Sequence, residues 1–217
     1  MRVLEIGQFE NSVVIHFDTD DTRINAYTLA STLTALADAA KAANTALYPG
    51  SEIEIVVEAL GPGSFRAQIR ALYSAAKNLF SNQVIAGVVI GVLGNYIYER
   101  TLAVDDQVVV EVKTDEVIIQ RGQDRVIVPR VVYDATRQVE KNPQFARSMA
   151  RTFEAVASDQ KVEVLCSRTR KTPKDQKIRL RKNRAVRVAR VLSRRRPGSG
   201  LRVGPRQVID PIHACLE

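Results

Sequence analysis

The alternation of apolar and polar positions predicts a mixture of short strands and helices. Apolar segments, several of which alternate with polar residues at period two, predict strands over 3–6, 12–17, 52–60, 64–72, 108–112, 116–120, 125–128 and 161–165. Three- and four-residue apolar spacing predicts helices over 24–47 and 144–157, and Pro129 opens a third over 130–141. Glu10-Asn11 indicates a hairpin between the first two strands, and Gly61-Pro62-Gly63 indicates a turn between the next pair.

The densest apolar run, Val84–Leu93, lies inside an uncharged stretch of 21 residues over 78–98. As a helix, this stretch is about 31 Å long, which matches the hydrocarbon core of a bilayer. Gly87 and Gly91 form a G-x-x-x-G pair, which predicts a helix–helix interface. Tyr96, Tyr98 and Arg100 follow at the far end, as membrane-interface anchors do.

The same stretch has two other interpretations. Polar residues dilute it, and a densely apolar run this short is also typical of a buried helix in a soluble core or an oligomer. Valine and isoleucine favour strands as well, so a buried strand is the third alternative. The hydropathy of the stretch does not distinguish the transmembrane helix from the buried helix or the buried strand.

Charge divides the chain into an acidic body and a basic tail. Residues 1–166 contain 16 Lys and Arg against 21 Asp and Glu, a net charge of −5, whereas residues 167–217 contain 16 against 3, a net charge of +13. We therefore predict an N-terminal αβ portion over 1–77, a central hydrophobic helix over 78–100, a C-terminal αβ portion over 101–166 and a basic tail over 167–217.

The tail has three interpretations. It can bind nucleic acid or anionic lipid through counterion release, and the polyanion-binding residues would then be Arg168, Arg170, Lys171, Arg194, Arg195 and Arg196. It can also be a disordered basic segment. The third interpretation is that the gene is read out of frame after Cys166, because the composition changes abruptly there. No aromatic residue interleaves with the basic ones, so base stacking is not supported.

The sequence contains no recognisable catalytic set. The nucleophile motif Gly-x-Ser-x-Gly is missing, and Cys166, Cys215, His16 and His213 do not have the spacing of a zinc site. Asp20-Asp21 and Asp105-Asp106 are more typical of turns and caps than of cation ligands, and the Gly61–Gly63 turn lacks the pattern of a phosphate loop. We predict no enzymatic activity, no metal and no cofactor.

Two segments resemble a group of uncharacterised bacterial proteins. They are the run from Val56 to Phe65, VVEALGPGSF, and the end of the glycine-rich apolar stretch from Tyr96 to Thr101, YIYERT. The resemblance covers residues 1–165 and implies an αβ body with a central glycine-rich hydrophobic helix. It implies no activity and no catalytic residue, and the tail after Cys166 does not share it.

These patterns lead to an α+β prediction: short antiparallel strands and helices on either side of a central apolar helix, with a basic C-terminal tail. The first hypothesis is a non-enzymatic, membrane-associated homo-oligomer with a cytoplasmic N-terminus that self-associates through Gly87 and Gly91. No apolar segment of a signal peptide follows Met1. The alternative is a cytoplasmic, soluble nucleic-acid-binding protein that uses its tail.

Overall fold

The computed structural model describes residues 2–5, 12–19, 24–58, 65–73, 79–102, 108–121, 124–158, 162–167, 178–180 and 208–209. The strands are β1 (Arg2–Glu5), β2 (Ser12–Thr19), β3 (Ile53–Glu58), β4 (Phe65–Tyr73), β5 (Val109–Val112), β6 (Glu116–Arg121), β7 (Asp124–Pro129), β8 (Val162–Ser167), β9 (Ile178–Leu180) and β10 (Val208–Ile209). The helices are α1 (Ala26–Leu47), α2 (Leu79–Leu102), α3 (Arg130–Val139) and α4 (Pro143–Ser158). This mixture of helix and sheet confirms the predicted α+β class.

The strands form two five-stranded sheets, which we call sheet A and sheet B. Sheet A has the order β1-β7-β6-β5-β10, and sheet B has the order β3-β4-β2-β8-β9. Sheet B is antiparallel throughout, whereas β1 and β10 join sheet A as parallel strands. Each sheet takes strands from both of the predicted αβ portions, 1–77 and 101–166, so the chain passes between the sheets more than once.

The predicted hairpin between the first two strands is wrong. β1 pairs with β7 in sheet A, and β2 pairs with β4 and β8 in sheet B. The hairpin of β3 and β4 is confirmed as antiparallel, but its register places Val56 opposite Arg70 and Glu54 opposite Leu72. Opposite charges on these two strands are therefore diagonal neighbours and not direct partners.

Helix ends follow from local capping. Asn25 precedes α1, and its side-chain oxygen accepts hydrogen bonds from the backbone N–H groups of Tyr27 and Thr28 at 2.8 and 3.3 Å. Asn142 caps α4 in the same way, accepting from the N–H groups of Gln144 and Phe145. Each side chain thus satisfies donors that have no partner within the first helical turn.

Helix α2 lies inside the main core. From Ala86 to Ile97 most of its apolar side chains are buried, among them Val89, Ile90 and Val92, which have no exposed surface. α2 contacts α1, α3, β2, β4 and β9, while α1 packs along α4. The rest of the core comes from both sheets and from the other three helices, and its largest fully buried side chains are Ile15, Phe17, Leu36, Ile69, Ile119, Phe145, Met149 and Phe153.

The prediction of a transmembrane helix is wrong. Within the described residues, none of the helices combines the length and the apolar character that crossing a bilayer requires. The reason is visible in α2 itself. Its polar residues Asn95, Glu99 and Arg100 are buried against protein, and they end the apolar run inside the helix.

Candidate functional site

Among the residues that the structure describes, the buried charged side chains lie between the C-terminal end of α2 and helix α3. Asn95, Glu99 and Arg100 come from α2, Arg137 comes from α3, and Glu140 follows α3 directly as its C-cap. We call these five residues the α2–α3 cluster. Asn95 has no exposed surface, and Glu99 and Arg100 are 6% and 7% exposed. Charged side chains are seldom buried so fully without a partner, so their partners decide the role of the cluster.

Ion pairs join the four charged residues in a chain. Arg100 Nη2 lies 2.6 Å from Glu140 Oε2, and Arg137 Nη1 lies 2.6 Å from Glu140 Oε1. Arg137 also pairs with Glu99 through its second amino group. Two carboxylates therefore balance two guanidinium groups, and Glu140 bridges both arginines, as the planar fork of arginine favours.

Asn95 extends the cluster into a hydrogen-bond network. Its side-chain nitrogen donates to Glu99 Oε1 and to Thr136 Oγ1, each at 3.1 Å. The hydroxyl of Thr136 in turn donates to the carbonyl oxygen of Val132 at 2.7 Å. This network fixes the orientation of the amide, because a flipped Asn95 would turn its oxygen toward the carboxylate of Glu99.

Aromatic rings cover both guanidinium groups. Arg100 lies 4.7 Å from the centre of the Tyr96 ring, and Arg137 lies 4.8 Å from that of Tyr133. Tyr96 packs edge-on against Phe145 of α4, with ring centres 5.1 Å apart. Both cation–ring distances fall within the range of an attractive contact.

The electrostatics of the cluster favour the charged form of Arg137. Burial alone would lower the pKa of Arg137, but the neighbouring carboxylates of Glu99 and Glu140 outweigh it, and the net effect raises that pKa. Each carboxylate is engaged by arginine, and neither guanidinium can act as a base. The arrangement is therefore suited to fastening α2 to α3 and does not offer a general acid or base.

The residues predicted as membrane anchors lie at this cluster. Tyr96 and Arg100 are buried within it, and Tyr98 is half-buried. The anchor prediction requires a helix that spans a membrane, and the described residues contain no such helix. The signal that could have indicated the cluster is the pair Glu99-Arg100 at the end of an apolar run, followed by Arg137 and Glu140 at helical spacing.

The glycine pair predicted as a helix–helix interface lies in the same helix. A Cβ atom placed on Gly91 would lie 3.1 and 3.2 Å from the two methyl carbons of Val132, so Gly91 packs against α3 of the same chain. Gly87, one turn earlier, is half-buried. The G-x-x-x-G spacing thus serves, at Gly91, a close approach between two helices within one chain.

The predicted polyanion-binding residues Arg168, Arg170, Lys171, Arg194, Arg195 and Arg196 lie outside the described residues, as do Asp20-Asp21, Asp105-Asp106, His213 and Cys215. His16 is in β2 and Cys166 is in β8 opposite Ile15. In the part of the chain that the structure describes, no three His, Cys, Asp or Glu residues come together as a metal site would require.

Comparison of the chain with protein-family models, curated proteins and solved structures finds no match. The case for a function therefore rests on the residues themselves.

Proposed function

We propose that this chain is a non-enzymatic nucleic-acid-binding protein that uses its basic segment 167–217. One observation carries the proposal, which is the separation of charge into a body of −5 and a tail of +13. A polyanion is attracted to the tail and repelled by the body, so the charge pattern assigns binding to one part of the chain.

The attachment of the tail to the body supports this proposal. β8 ends at Ser167, and β9 returns antiparallel to it with Ile178 opposite Cys166. The connecting residues 168–177 contain five basic residues and one acidic residue. Both ends of this connection are held in sheet B, so its basic residues begin and end at strands of the folded body.

The composition of the tail indicates how it binds. Residues 167–217 contain 16 Lys and Arg but no Phe, Tyr or Trp, so they offer phosphate contacts without stacking on bases. Such binding depends on counterion release, and the logarithm of the affinity for duplex DNA falls with slope of about −0.9 per phosphate contact against the logarithm of salt concentration. We therefore expect weak sequence preference and a steep dependence on salt.

The test compares two triple variants with the same change of net charge. One carries R194Q, R195Q and R196Q in the tail, and the other carries K41Q, K141Q and R147Q at exposed positions of the body. Binding to a labelled DNA duplex is followed by fluorescence anisotropy across a range of KCl concentrations. The tail variant should flatten the salt slope by up to about 2.7, which is three contacts at 0.9 each, and the body variant should match the native chain.

Three results would overturn the proposal. The first is that the native chain does not bind the duplex at low salt. The second is that the body variant loses as much binding as the tail variant. The third is that the chain binds anionic phospholipid vesicles and not nucleic acid, which would assign the tail to a different partner.

Self-association through Gly87 and Gly91 remains a prediction, and we place it second. The methyl groups of Val132 occupy the space next to Gly91, so a second copy of α2 would have to displace α3 to reach it. The nucleic-acid proposal requires no such rearrangement.

A further inference from the structure

The two edges of sheet B are open in the described part of the chain. β3 pairs only with β4, and β9 pairs only with β8, among the strands that the structure describes. An edge strand presents unpaired backbone N–H and C=O groups along its outer side, and those groups can accept another strand. The residues of each edge decide which strand fits.

The β3 edge is where the apolar rows of sheet B become exposed. Val57 is 49% exposed, although its partner in the neighbouring strand, Ile69, is fully buried. Ile53 and Ile55, at alternate positions of the same strand, are half-buried. A further strand added beside β3 would cover this apolar surface.

The register places the apolar positions of β9 on the same face of sheet B as those of β3, at the opposite edge. Ile178 is opposite Cys166, which is opposite Ile15, and Leu180 is opposite Val164, which is opposite Phe17. Ile15 and Phe17 are both buried in the core. Apolar positions thus alternate in β9 as they do in β3.

The two edges carry opposite charge. Glu52 and Glu54, at the start of β3, are exposed. β9 carries Arg179 and is flanked in sequence by Lys177 and Arg181. Pairing of two β3 edges would bring glutamates together, and pairing of two β9 edges would bring arginines together. Pairing of β3 with β9 instead places opposite charges on adjacent strands.

The strand directions permit this third arrangement. Four successive antiparallel pairings connect β3 to β9, so the two strands run in the same direction. A second copy placed beside the first in the same orientation therefore sets β9 parallel to β3 and keeps the alternation of apolar and charged positions in step.

We propose that the β9 edge of one copy joins the β3 edge of a second copy and extends sheet B from one chain to the next. The contact is head-to-tail, so each added copy leaves one edge of each kind open and assembly can continue beyond the dimer. This interface is independent of the Gly87–Gly91 face, and it requires no nucleic acid.

The decisive experiment uses two variants that each block one edge. V57K places a charge on the apolar β3 edge, and R179E reverses the charge of the β9 edge. V131K is the matched control, because Val131 is also an exposed valine but belongs to α3. The full chain is treated with nuclease, and its mass is measured by sedimentation velocity at increasing concentration in physiological salt.

The native chain and V131K should form species that grow with concentration, whereas V57K alone and R179E alone should remain single chains. An equal mixture of V57K and R179E should form a discrete dimer, because the intact β9 of one variant meets the intact β3 of the other. That dimer also shows that both variants are folded. The double charge reversal E54R/R179E should restore the assembly that R179E abolishes.

Other results would overturn the proposal. A native chain that stays a single chain across the concentration range has no such interface. V57K that assembles like the native chain excludes the β3 edge, and a mixture that yields no dimer excludes the head-to-tail pairing. The DNA assay measures the effect of the tail triple variant on binding, whereas this assay measures self-association of protein freed of nucleic acid. A negative result in one assay therefore does not decide the other proposal.

Discussion

Replacing Glu140 by alanine gives the most direct test of the α2–α3 cluster. Glu140 is the residue that contacts both Arg100 and Arg137, each at 2.6 Å. Its removal leaves Arg100, which is 7% exposed, without its carboxylate partner. The side chain of Arg100 then keeps its contact with the Tyr96 ring but carries a buried charge that the Glu140 carboxylate no longer balances.

The expected loss follows from this burial. Breaking a buried ion pair by removing one partner costs about 3–5 kcal/mol, and the lower value applies because the side chain of Glu140 keeps 16% exposure. A loss of about 3 kcal/mol lowers Tm by about 6–12 °C in a chain of this size. The double variant R100M/E140M removes both charges and should stay within about 1 kcal/mol of the native chain.

Urea unfolding followed by circular dichroism measures these differences. The matched control is D134A, which breaks the exposed Arg130–Asp134 pair within α3 at 2.9 Å and should cost no more than about 1 kcal/mol. Equal destabilisation by E140A and D134A would refute our account of the cluster. It would mean that a buried ion pair of Arg100 costs no more to break than an exposed one.

Two further predictions concern packing and pH. Gly91→Ala adds about 1 kcal/mol of helix propensity, but its Cβ would crowd the methyl carbons of Val132 at 3.1 and 3.2 Å, which costs about 1–3 kcal/mol. G91A should therefore destabilise the native chain and stabilise a V132A chain in urea unfolding; stabilisation of both would contradict the close contact. Burial raises the pKa of Tyr48 above its usual 10.0, so the stability that depends on the neutral phenol is complete below pH 10.0 and is lost as pH rises through the raised value. Y48F should unfold less steeply with rising alkaline pH than the native chain, and identical pH profiles would exclude a contribution from this phenol.

Local patterns were sufficient to predict most of the elements. The predicted helix over 24–47 corresponds to α1, Ala26–Leu47, and the predicted helix over 144–157 corresponds to α4, Pro143–Ser158. Pro129 ends β7 and α3 begins at the next residue, as its missing N–H and fixed φ favour. These signals depend on neighbours within one or two turns, which the sequence displays directly.

The partners of the elements could not be read in the same way. Nothing in the residues of β1 indicates that Arg2 pairs with Asp124, and the hairpin signal at Glu10-Asn11 favoured the wrong neighbour. The apolar stretch before Arg100 predicts a membrane anchor, although the partner of Arg100 is Glu140 at the C-terminal end of α3. Long-range pairing depends on which surfaces are left to be covered once the other elements have packed, and period and composition do not record this.

The parallel pairing of β1 with β7 also sets an order of events during synthesis. Arg2 is made first, yet its partner Asp124 follows 122 residues later (124 − 2), and β2 waits longer still for β8, whose Glu163 pairs with Asp18. Neither sheet can be complete while the ribosome is still within the first 160 residues. The nascent chain must therefore hold β1 unpaired until β7 has been made, and β2, which can pair earlier with β4, keeps its other edge open until β8 follows α4. Those open strands are the ones that a chaperone would have most reason to shield.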